Sequence, residues 1–280
     1  MVMTRRAAVK TLVAGGSGAL TGTAAYGFLY GRHALSVTRA TLPIPALPGA
    51  FDGLRVGLIT DVHRSRLVSH ADVDRAVAAL MAEQPDLIVL GGDYVTWGDR
   101  HFVGPAAEAL KPLSARHGVF AILGNHDDDH DMPLALARND VQVLKDARTR
   151  LTIRNDALDL VGIRFWTKRQ MDIARLLIGA APASILLAHD PRRLTEAAAL
   201  NIPAVLSGHT HGGQVVLPIV GAVAAQKFPV VQGIGRRGPT TMFVSRGVGT
   251  IYVPVRVNCP PEVAVLTLTR SDAAAPTSPA

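Results

Sequence analysis

Short apolar runs that each end in a possible metal ligand constrain this chain most strongly. The first run covers residues 54–59 and is followed by Asp61 and His63. Further runs are followed by Gly91-Gly92-Asp93, Gly124-Asn125-His126-Asp127, His189 and Gly208-His209-Thr210-His211. Strand ends can bring distant carboxylates, amides and imidazoles into one cluster. The pattern therefore predicts strands whose ends share the ligands of a two-metal site.

The order of the elements predicts a layered α/β fold. Strand-length apolar runs alternate with segments of helical spacing, such as residues 71–83, as far as residue 206. From Val215 onward only strands are predicted, and Gly and Pro turns join them. We therefore predict two packed β-sheets with helices outside them. The predicted strands cover residues 54–59, 87–90, 119–123, 141–144, 185–188, 204–206, 242–245, 250–253 and 263–269, with a hairpin over 151–165.

The composition is that of a basic globular protein. Hydrophobic residues make up 48% and charged residues 18% of the 280 residues, which excludes a disordered chain. The formal net charge of +7 suits an anionic substrate or an anionic membrane surface. Because no basic run is interleaved with aromatic residues, we expect no nucleic-acid partner. The one cysteine, Cys259, excludes an intrachain disulfide and a thiolate zinc site.

The amino terminus resembles a twin-arginine export signal. Arg5-Arg6 and Lys10 precede an uncharged stretch over residues 11–31 that is rich in Gly, Ala and Thr. An ordinary secretory signal and a transmembrane anchor are the alternatives, although the glycines and threonines make a poor permanent span. We expect export by the twin-arginine machinery to the periplasm or cell envelope, with the leader either cleaved or kept as a membrane anchor. That route carries folded proteins, which fits a metal centre loaded before export.

The sequence divides into four segments. Residues 1–31 form the signal or anchor, and residues 32–53 form a proline-rich linker that we predict to be extended and semi-rigid. Residues 54–270 form the folded domain. Residues 271–280, rich in Ala, Ser and Pro, are predicted to be a flexible tail.

Asp61, His63 and Asp93 are the first candidate ligands. Residues two apart in a strand face the same way, so Asp61 and His63 can both reach one ion. Asp93 follows two glycines, which let the backbone approach a metal closely, and its carboxylate has two oxygens for a bridging role. Each feature alone is also typical of a core or turn residue, so the prediction depends on their combination.

The sequence Gly124-Asn125-His126-Asp127 is more specific. Asn125 offers a neutral oxygen ligand, and His126 can donate a proton to a leaving oxygen without binding metal. The acidic residues that follow, 127–131, do not form a calcium loop, because Met132 and Arg138 stand where a glycine and a bidentate glutamate are required. We predict a solvated loop there.

The imidazoles of His209 and His211, flanked by glycines, are the strongest single indication of a metal site. Neutral imidazole is the commonest side-chain metal ligand. His189 follows the run at 185–188, and taken alone it would be interpreted as a structural histidine.

Five sequence blocks together resemble the calcineurin-like metallophosphoesterase superfamily. Asp-x-His, Gly-Asp, Gly-Asn-His-Asp, a lone His and Gly-His-x-His occur in the order of that family, and the resemblance covers residues 54–268. The sequences Val244-Ser245-Arg246-Gly247-Val248-Gly249 and Asn258-Cys259-Pro260-Pro261-Glu262 resemble its bacterial YkuE/YaeI-type branch. The resemblance implies a four-layer αββα fold around a dinuclear metal centre.

The resemblance also implies a role for each candidate residue. His126 matches the proton donor that also contacts the phosphate. One ion would be bound by Asp61, His63 and His211, and the other by Asn125, His189 and His209. Asp93 would bridge the two ions. The ions would be two divalent transition metals, and Mn, Fe and Zn all fit nitrogen and oxygen ligands.

The resemblance implies hydrolysis of phosphodiester, phosphomonoester or lipid-linked pyrophosphate bonds by attack of a metal-bridging hydroxide. The pyrophosphate bond is the one that UDP-diacylglucosamine hydrolases cleave. The alternative is an envelope protein that keeps the metal site for binding or scaffolding without turnover. A cytosolic nuclease or protein phosphatase is disfavoured by the arginine pair.

Two positions depart from the common family pattern and bear on substrate choice. Arg64 follows His63 where a smaller residue is usual, and it is either a phosphate-gripping residue or a surface arginine. Tyr94-Val95-Thr96 follows Asp93 where a second acidic residue is frequent.

Overall fold

The protein folds around two β-sheets, seen here in a computed structural model that describes residues 5–271. The strands are β1 (Ser36–Pro45), β2 (Arg55–Ile59), β3 (Leu87–Leu90), β4 (Val119–Ala121), β5 (Val141–Val143), β6 (Ala147–Ile153), β7 (Asp156–Gly162), β8 (Ser184–Leu187), β9 (Ala204–Ser207), β10 (Gly233–Arg237), β11 (Thr240–Val244) and β12 (Glu262–Ser271). The α-helices are α1 (Arg5–Leu29), α2 (His70–Ala82), α3 (Val103–Leu110), α4 (Asp131–Ala137), α5 (Gln170–Leu176) and α6 (Leu194–Ala199).

Both sheets have six strands and mix parallel with antiparallel pairs. The first sheet has the order β1-β12-β2-β3-β4-β5, in which only the β12–β2 pair is antiparallel. The second sheet has the order β10-β11-β9-β8-β7-β6, with parallel pairs at its centre and an antiparallel pair at each edge. The predicted fold class, two mixed sheets flanked by helices, is confirmed.

Apolar residues on both faces of the central strands create the four layers. In β3, Leu87 and Val89 pack between the two sheets, whereas Ile88 and Leu90 pack against α2 and α3 on the outer face. Strand β8 shows the same alternation, with Leu186 facing the outer layer formed by α5 and α6. Because successive side chains in a strand point to opposite faces, a continuous apolar run marks a strand that is buried on both sides.

Residues 36–45 correct the predicted linker. They form β1, which pairs in parallel with β12 from Ser36 opposite Glu262 to Pro45 opposite Ser271. Strand β1 lies at the edge of its sheet, where Pro43 and Pro45 can be accommodated although they have no N–H to donate. The prolines therefore mark an edge strand, and the folded domain begins before residue 54.

The region after residue 215 holds two further differences from the prediction. Residues 250–253, predicted as a strand, form a loop in which Tyr252 has a φ of 60°. Strand β10 was not predicted, because its sequence Gly-Ile-Gly-Arg-Arg has two glycines and little apolar character.

Helix α1 occupies most of the predicted export signal, and its carboxyl end packs on the domain. The backbone N–H of Arg256 donates to the carbonyl of Gly27 at 3.2 Å. A Cβ atom at Gly31 would lie 2.1 Å from the Arg256 carbonyl oxygen, so only glycine fits this approach. Among the described residues, no helix combines the length and apolar character needed to cross a membrane. Residues 1–4 of the predicted signal and 272–280 of the predicted tail lie outside the described residues.

Candidate metal centre

The predicted site residues follow the ends of strands from both sheets. Strands β2, β3 and β4 of the first sheet and β8 and β9 of the second lead into the loops that carry them. In chain order these residues are Asp61 and His63, Asp93, Asn125 and His126, His189, and His209 and His211. The structure therefore draws one polar cluster from five strand ends.

Most of the candidate ligands have left-handed backbone conformations. The positive φ angles belong to Asp61 (51°), His63 (47°), Asp93 (59°), His209 (71°) and His211 (51°). Such conformations cost roughly 1–3 kcal/mol each and cluster at functional sites. They also correct the strand-periodicity argument for Asp61 and His63, because both residues lie beyond the end of β2, in the loop that follows it.

Two groups of side chains are close enough for each to hold a metal ion. In the first, the ligand atoms of Asp61, His63 and His211 lie within 4.8 Å of one another. The His211 Nε2 is 3.2 Å from the His63 Nε2 and 3.4 Å from Asp61 Oδ1. In the second group, Asp93, His189 and His209 meet the same 4.8 Å condition.

Asp93 lies between the two groups. Its Oδ2 is 3.0 Å from the His189 Nε2 in its own group and 3.5 Å from the His63 Nε2 in the other. The carboxylate can therefore contact ions in both positions, as the predicted bridging role requires.

Hydrogen bonds from the surrounding backbone orient these ligands. The His189 Nδ1 donates to the carbonyl of Gly91 at 2.8 Å, which directs the Nε2 towards Asp93. The Asp61 carboxylate accepts from the backbone N–H of His209 at 3.0 and 3.1 Å. Such outer contacts fix the orientation of metal ligands and tune their affinity.

Asp127 is a site residue whose role the sequence prediction missed. Its carboxylate accepts the backbone N–H groups of Asp93 (2.7 Å), Tyr94 (2.7 Å) and Gly124 (2.8 Å), and so joins the loops after β3 and β4. Burial, together with the charge of Asp93, raises the pKa of Asp127 to about 7. The position of Asp127 at the end of the Gly-Asn-His-Asp block could have indicated this role. The acidic residues that follow it led instead to the prediction of a solvated loop.

The electrostatics of the cluster suit cation binding. Burial lowers the pKa of His63 to about 4 and that of His209 to about 3, so both imidazoles are neutral at pH 7 and can act as ligands. Burial raises the pKa of Asp61 to about 6. Burial would lower the pKa of His189, but the charge of Asp93 outweighs it and raises the value to about 10. Metal ligation requires the neutral imidazole, so an ion bound beside Asp93 would replace a proton on His189.

Two further observations show that the residues fit metal ions. The Asn125 Oδ1 is buried and has no hydrogen-bond partner among the described residues, which leaves a neutral oxygen free for an ion. Glycines also stand where a side chain would collide with the carboxylates. A Cβ at Gly124 would lie 2.0 Å from Asp93 Oδ1, and one at Gly208 would lie 2.3 Å from Asp61 Oδ2.

His126 lies beside the candidate ligands, and its ring is fixed by backbone contacts. The Trp97 N–H donates to the His126 Nδ1 at 3.1 Å, and the His126 N–H donates to Asp93 Oδ1 at 2.9 Å. Burial lowers the pKa of His126, so the ring is neutral at pH 7. Because its Nδ1 accepts a hydrogen bond, we assign the proton of the neutral ring to Nε2.

The residues that depart from the family pattern have structural contacts. Arg64 donates to the carbonyls of Ser65 and Val68, the latter at 2.8 Å, and its guanidinium stands over the Phe102 ring. The Tyr94 hydroxyl is buried and donates to the Ile122 carbonyl at 2.8 Å. The Thr96 Oγ1 lies 3.3 Å from the Nδ1 of the candidate ligand His63.

Comparisons with known proteins agree with this geometry. A family model described as calcineurin-like phosphoesterase matches residues 54–213, a span that contains all eight predicted site residues. The metallophosphoesterase YkuE of Bacillus subtilis (strain 168) is 28% identical over 274 residues, which cover 90% of this chain and 92% of YkuE. The phosphodiesterase YaeI of Escherichia coli (strain K12) is 31% identical over 228 residues, which cover 76% of this chain and 82% of YaeI.

Proposed function

The chain belongs to the calcineurin-like phosphoesterase family, whose fold and metal-dependent phosphoester hydrolase activity it shares, and from this premise we propose a dinuclear phosphodiesterase that works at the cell envelope. The observation that carries the proposal is the convergence of two ligand groups on either side of Asp93. The proposal also includes phosphomonoesters and lipid-linked pyrophosphates, because their bonds are likewise hydrolysed by attack at phosphorus.

The proposed ion ligands follow from the two groups. Asp61, His63 and His211 hold one divalent ion, and Asp93 faces both positions. His189 and His209 hold the other ion, and the free Oδ1 of Asn125 completes that set. Nitrogen and oxygen ligands suit Mn, Fe or Zn. When bound, two such ions would lower the pKa of a coordinated water and neutralise charge that develops at phosphorus.

His126 is the proposed proton donor. The bond from the Trp97 N–H fixes its ring beside Asp93 and leaves the Nε2 to face the substrate. An anionic ester bound there would favour the imidazolium, whose second proton takes the Nδ1 position and replaces the bond from the Trp97 N–H. The Nε2 proton can then pass to the leaving oxygen. The choice of a diester as the main substrate is supported by the similarity to YaeI, which is named a phosphodiesterase.

Turnover of bis-p-nitrophenyl phosphate with Mn²⁺ tests the proposal. We expect the wild-type protein to bind two ions and release p-nitrophenol, and His126→Ala to bind both ions but lose about 10²–10⁴-fold in kcat. His130→Ala is the control, because His130 is an exposed histidine in the same loop and pairs with Asp131. Metal-loaded wild-type protein that turns over neither diesters nor monoesters would instead support the scaffolding alternative.

We also propose export by the twin-arginine route, which the pair Arg5-Arg6 supports. The double substitution Arg5→Lys and Arg6→Lys is expected to keep a tagged protein in the cytosol. Fractionation of cells measures this directly, and wild-type protein found only in the cytosol would reject export.

A further inference from the structure

A row of exposed apolar side chains, here called the apolar strip, runs from α1 to the metal centre. It consists of Leu20, Tyr26, Leu217, Ile219, Val220, Val223, Tyr252, Val253 and Trp97. Several of these side chains are almost entirely in solvent: Ile219 is 108% exposed and Tyr252 is 79% exposed. Large contiguous apolar surfaces of this kind mark interaction sites.

Three grooves with shared walls connect seven of the nine residues of the strip, and Ile219 and Val220 follow Pro218, which lines the first groove. The first, of about 680 Å³, lies between Leu20 and Tyr26 of α1 and the residues around Leu217. The second, of about 350 Å³, also contains Leu217 and extends to Tyr252. The third, of about 510 Å³, contains Tyr252 and extends to Trp97.

The strip ends at the proposed proton donor. The Trp97 ring lies 4.5 Å from the His126 ring, and the Tyr252 ring lies 5.5 Å from the Trp97 ring. Whatever covers the strip at this end therefore lies next to His126.

Three residues of the strip hold strained backbone without burying their side chains. Ile219, Tyr252 and Trp97 have φ angles of 70°, 60° and 55°. Bulky residues, and β-branched ones above all, are rare in this conformation, and strain of this kind is found at binding sites. Since the exposed side chains add little to the core, the strain points to a partner outside the chain.

The charge around the strip is positive. The chain has no acidic residue before Asp52 and none between Glu196 and Glu262, and these two segments supply every residue of the strip except Trp97. Arg66 lines the third groove, and Asp99 is the one acidic residue among the described residues that line the three grooves. Two copies of the chain would bring like charges together here, so the charge disfavours self-association.

We propose that the apolar strip docks the protein onto an anionic lipid bilayer and places the metal centre at the level of the head groups. Aromatic and aliphatic side chains flanked by basic residues are the chemistry that an anionic membrane interface takes up. The proposed docking depends only on the apolar strip. The further inference that the ester is cleaved at the bilayer surface also depends on the proposed function.

Co-sedimentation of the full metal-loaded chain with vesicles tests the docking. We expect binding to vesicles of phosphatidylcholine mixed with phosphatidylglycerol, and weaker binding to phosphatidylcholine alone or in high salt. Ile219→Asn should weaken binding about tenfold, because one buried isoleucine side chain is lost from the interface. Its folding stability should be unchanged or raised, because asparagine tolerates the left-handed conformation better.

The controls separate docking from catalysis and from surface hydrophobicity. Ile178→Asn removes an isoleucine that is 75% exposed but does not belong to the apolar strip, and it should bind vesicles like the wild type. His126→Ala should lose turnover and keep vesicle binding, which distinguishes failure of the proposed function from failure of the docking. The docking is refuted if Ile219→Asn binds like the wild type, if both vesicle types bind equally, or if the substitution dissociates a dimer in light scattering.

Discussion

Gly124→Ala probes how closely the fold fits the metal centre. Gly124 has no positive φ, so alanine can adopt its backbone conformation. The added Cβ, however, would lie 2.0 Å from Asp93 Oδ1 and 2.6 Å from the Asp93 nitrogen. Comfortable contacts to carbon are roughly 3.5 Å or longer, so the carboxylate or the loop must move by about 1.5 Å.

That displacement determines the expected magnitudes. The Asp93 Oδ2 lies 3.0 Å from the His189 Nε2, so a shift of this size removes the carboxylate from its position between the two ligand groups. A misplacement of about 1 Å can cost about 10²-fold in rate, and overpacking costs about 1–3 kcal/mol of stability. We therefore expect kcat to fall at least about 100-fold, together with weaker binding of one ion.

The assay compares turnover of bis-p-nitrophenyl phosphate, metal content and thermal unfolding. Gly104→Ala is the matched control, because a Cβ at Gly104 meets no atom within 4 Å and the residue lies in α3, where alanine is favoured over glycine. It should retain activity and an equal or higher Tm. Gly124→Ala protein with two bound ions and wild-type turnover would refute the argument that this glycine is required by the position of Asp93.

Two further substitutions test the contacts around the site and in the second sheet. Asp127→Ala leaves three backbone N–H groups without their acceptor, and we expect about 10–100-fold weaker metal binding by titration, with unchanged affinity as the contrary result. Asp159 is buried and binds Arg148 and Arg150; burial would raise its pKa, but the arginines outweigh it and the pKa is lowered. The stabilisation of the fold by these ion pairs is therefore fully present above the pKa of Asp159 in the unfolded chain, about 3.9. It is lost as the pH falls through the pKa of Asp159 in the folded protein. In denaturant unfolding, Asp159→Asn should lower the free energy of unfolding at pH 7 and lower it much less in acid. An equal loss of stability at the two pH values would contradict the role of the ion pairs.

The strands that supply the site could be predicted because the signal is local. Strand β3, with the sequence Leu-Ile-Val-Leu, is apolar on both faces, and Gly91-Gly92-Asp93 follows it directly. Burial on both faces and an abrupt polar end are visible in a few consecutive residues, so the prediction of residues 87–90 matches the structure.

Strand β1 could not be predicted in the same way because its pairing is distant. Its partner β12 begins at Glu262, and nothing near residues 36–45 indicates that pairing. The prediction of a strand at residues 250–253 was wrong for a different reason. The apolar residues of this segment suggested a buried strand, whereas Tyr252 and Val253 are exposed side chains of the apolar strip. Apolar sequence alone does not distinguish a core from a surface that binds a partner.

The left-handed backbone conformation of the candidate ligands could not be predicted from periodicity, but hydrogen bonds in the structure explain how it is maintained. Beyond β2, the Asp61 N–H donates to the Gly92 carbonyl and the His63 N–H to the Asp93 carbonyl, both at 2.9 Å. The Gly249 N–H donates to the Asp61 carbonyl at 2.7 Å. Strained residues persist only where the surroundings over-determine them. Because these bonds join the loops after β2 and β3 and the segment at Gly249, the folded backbone itself holds Asp61 and His63 in the left-handed conformation.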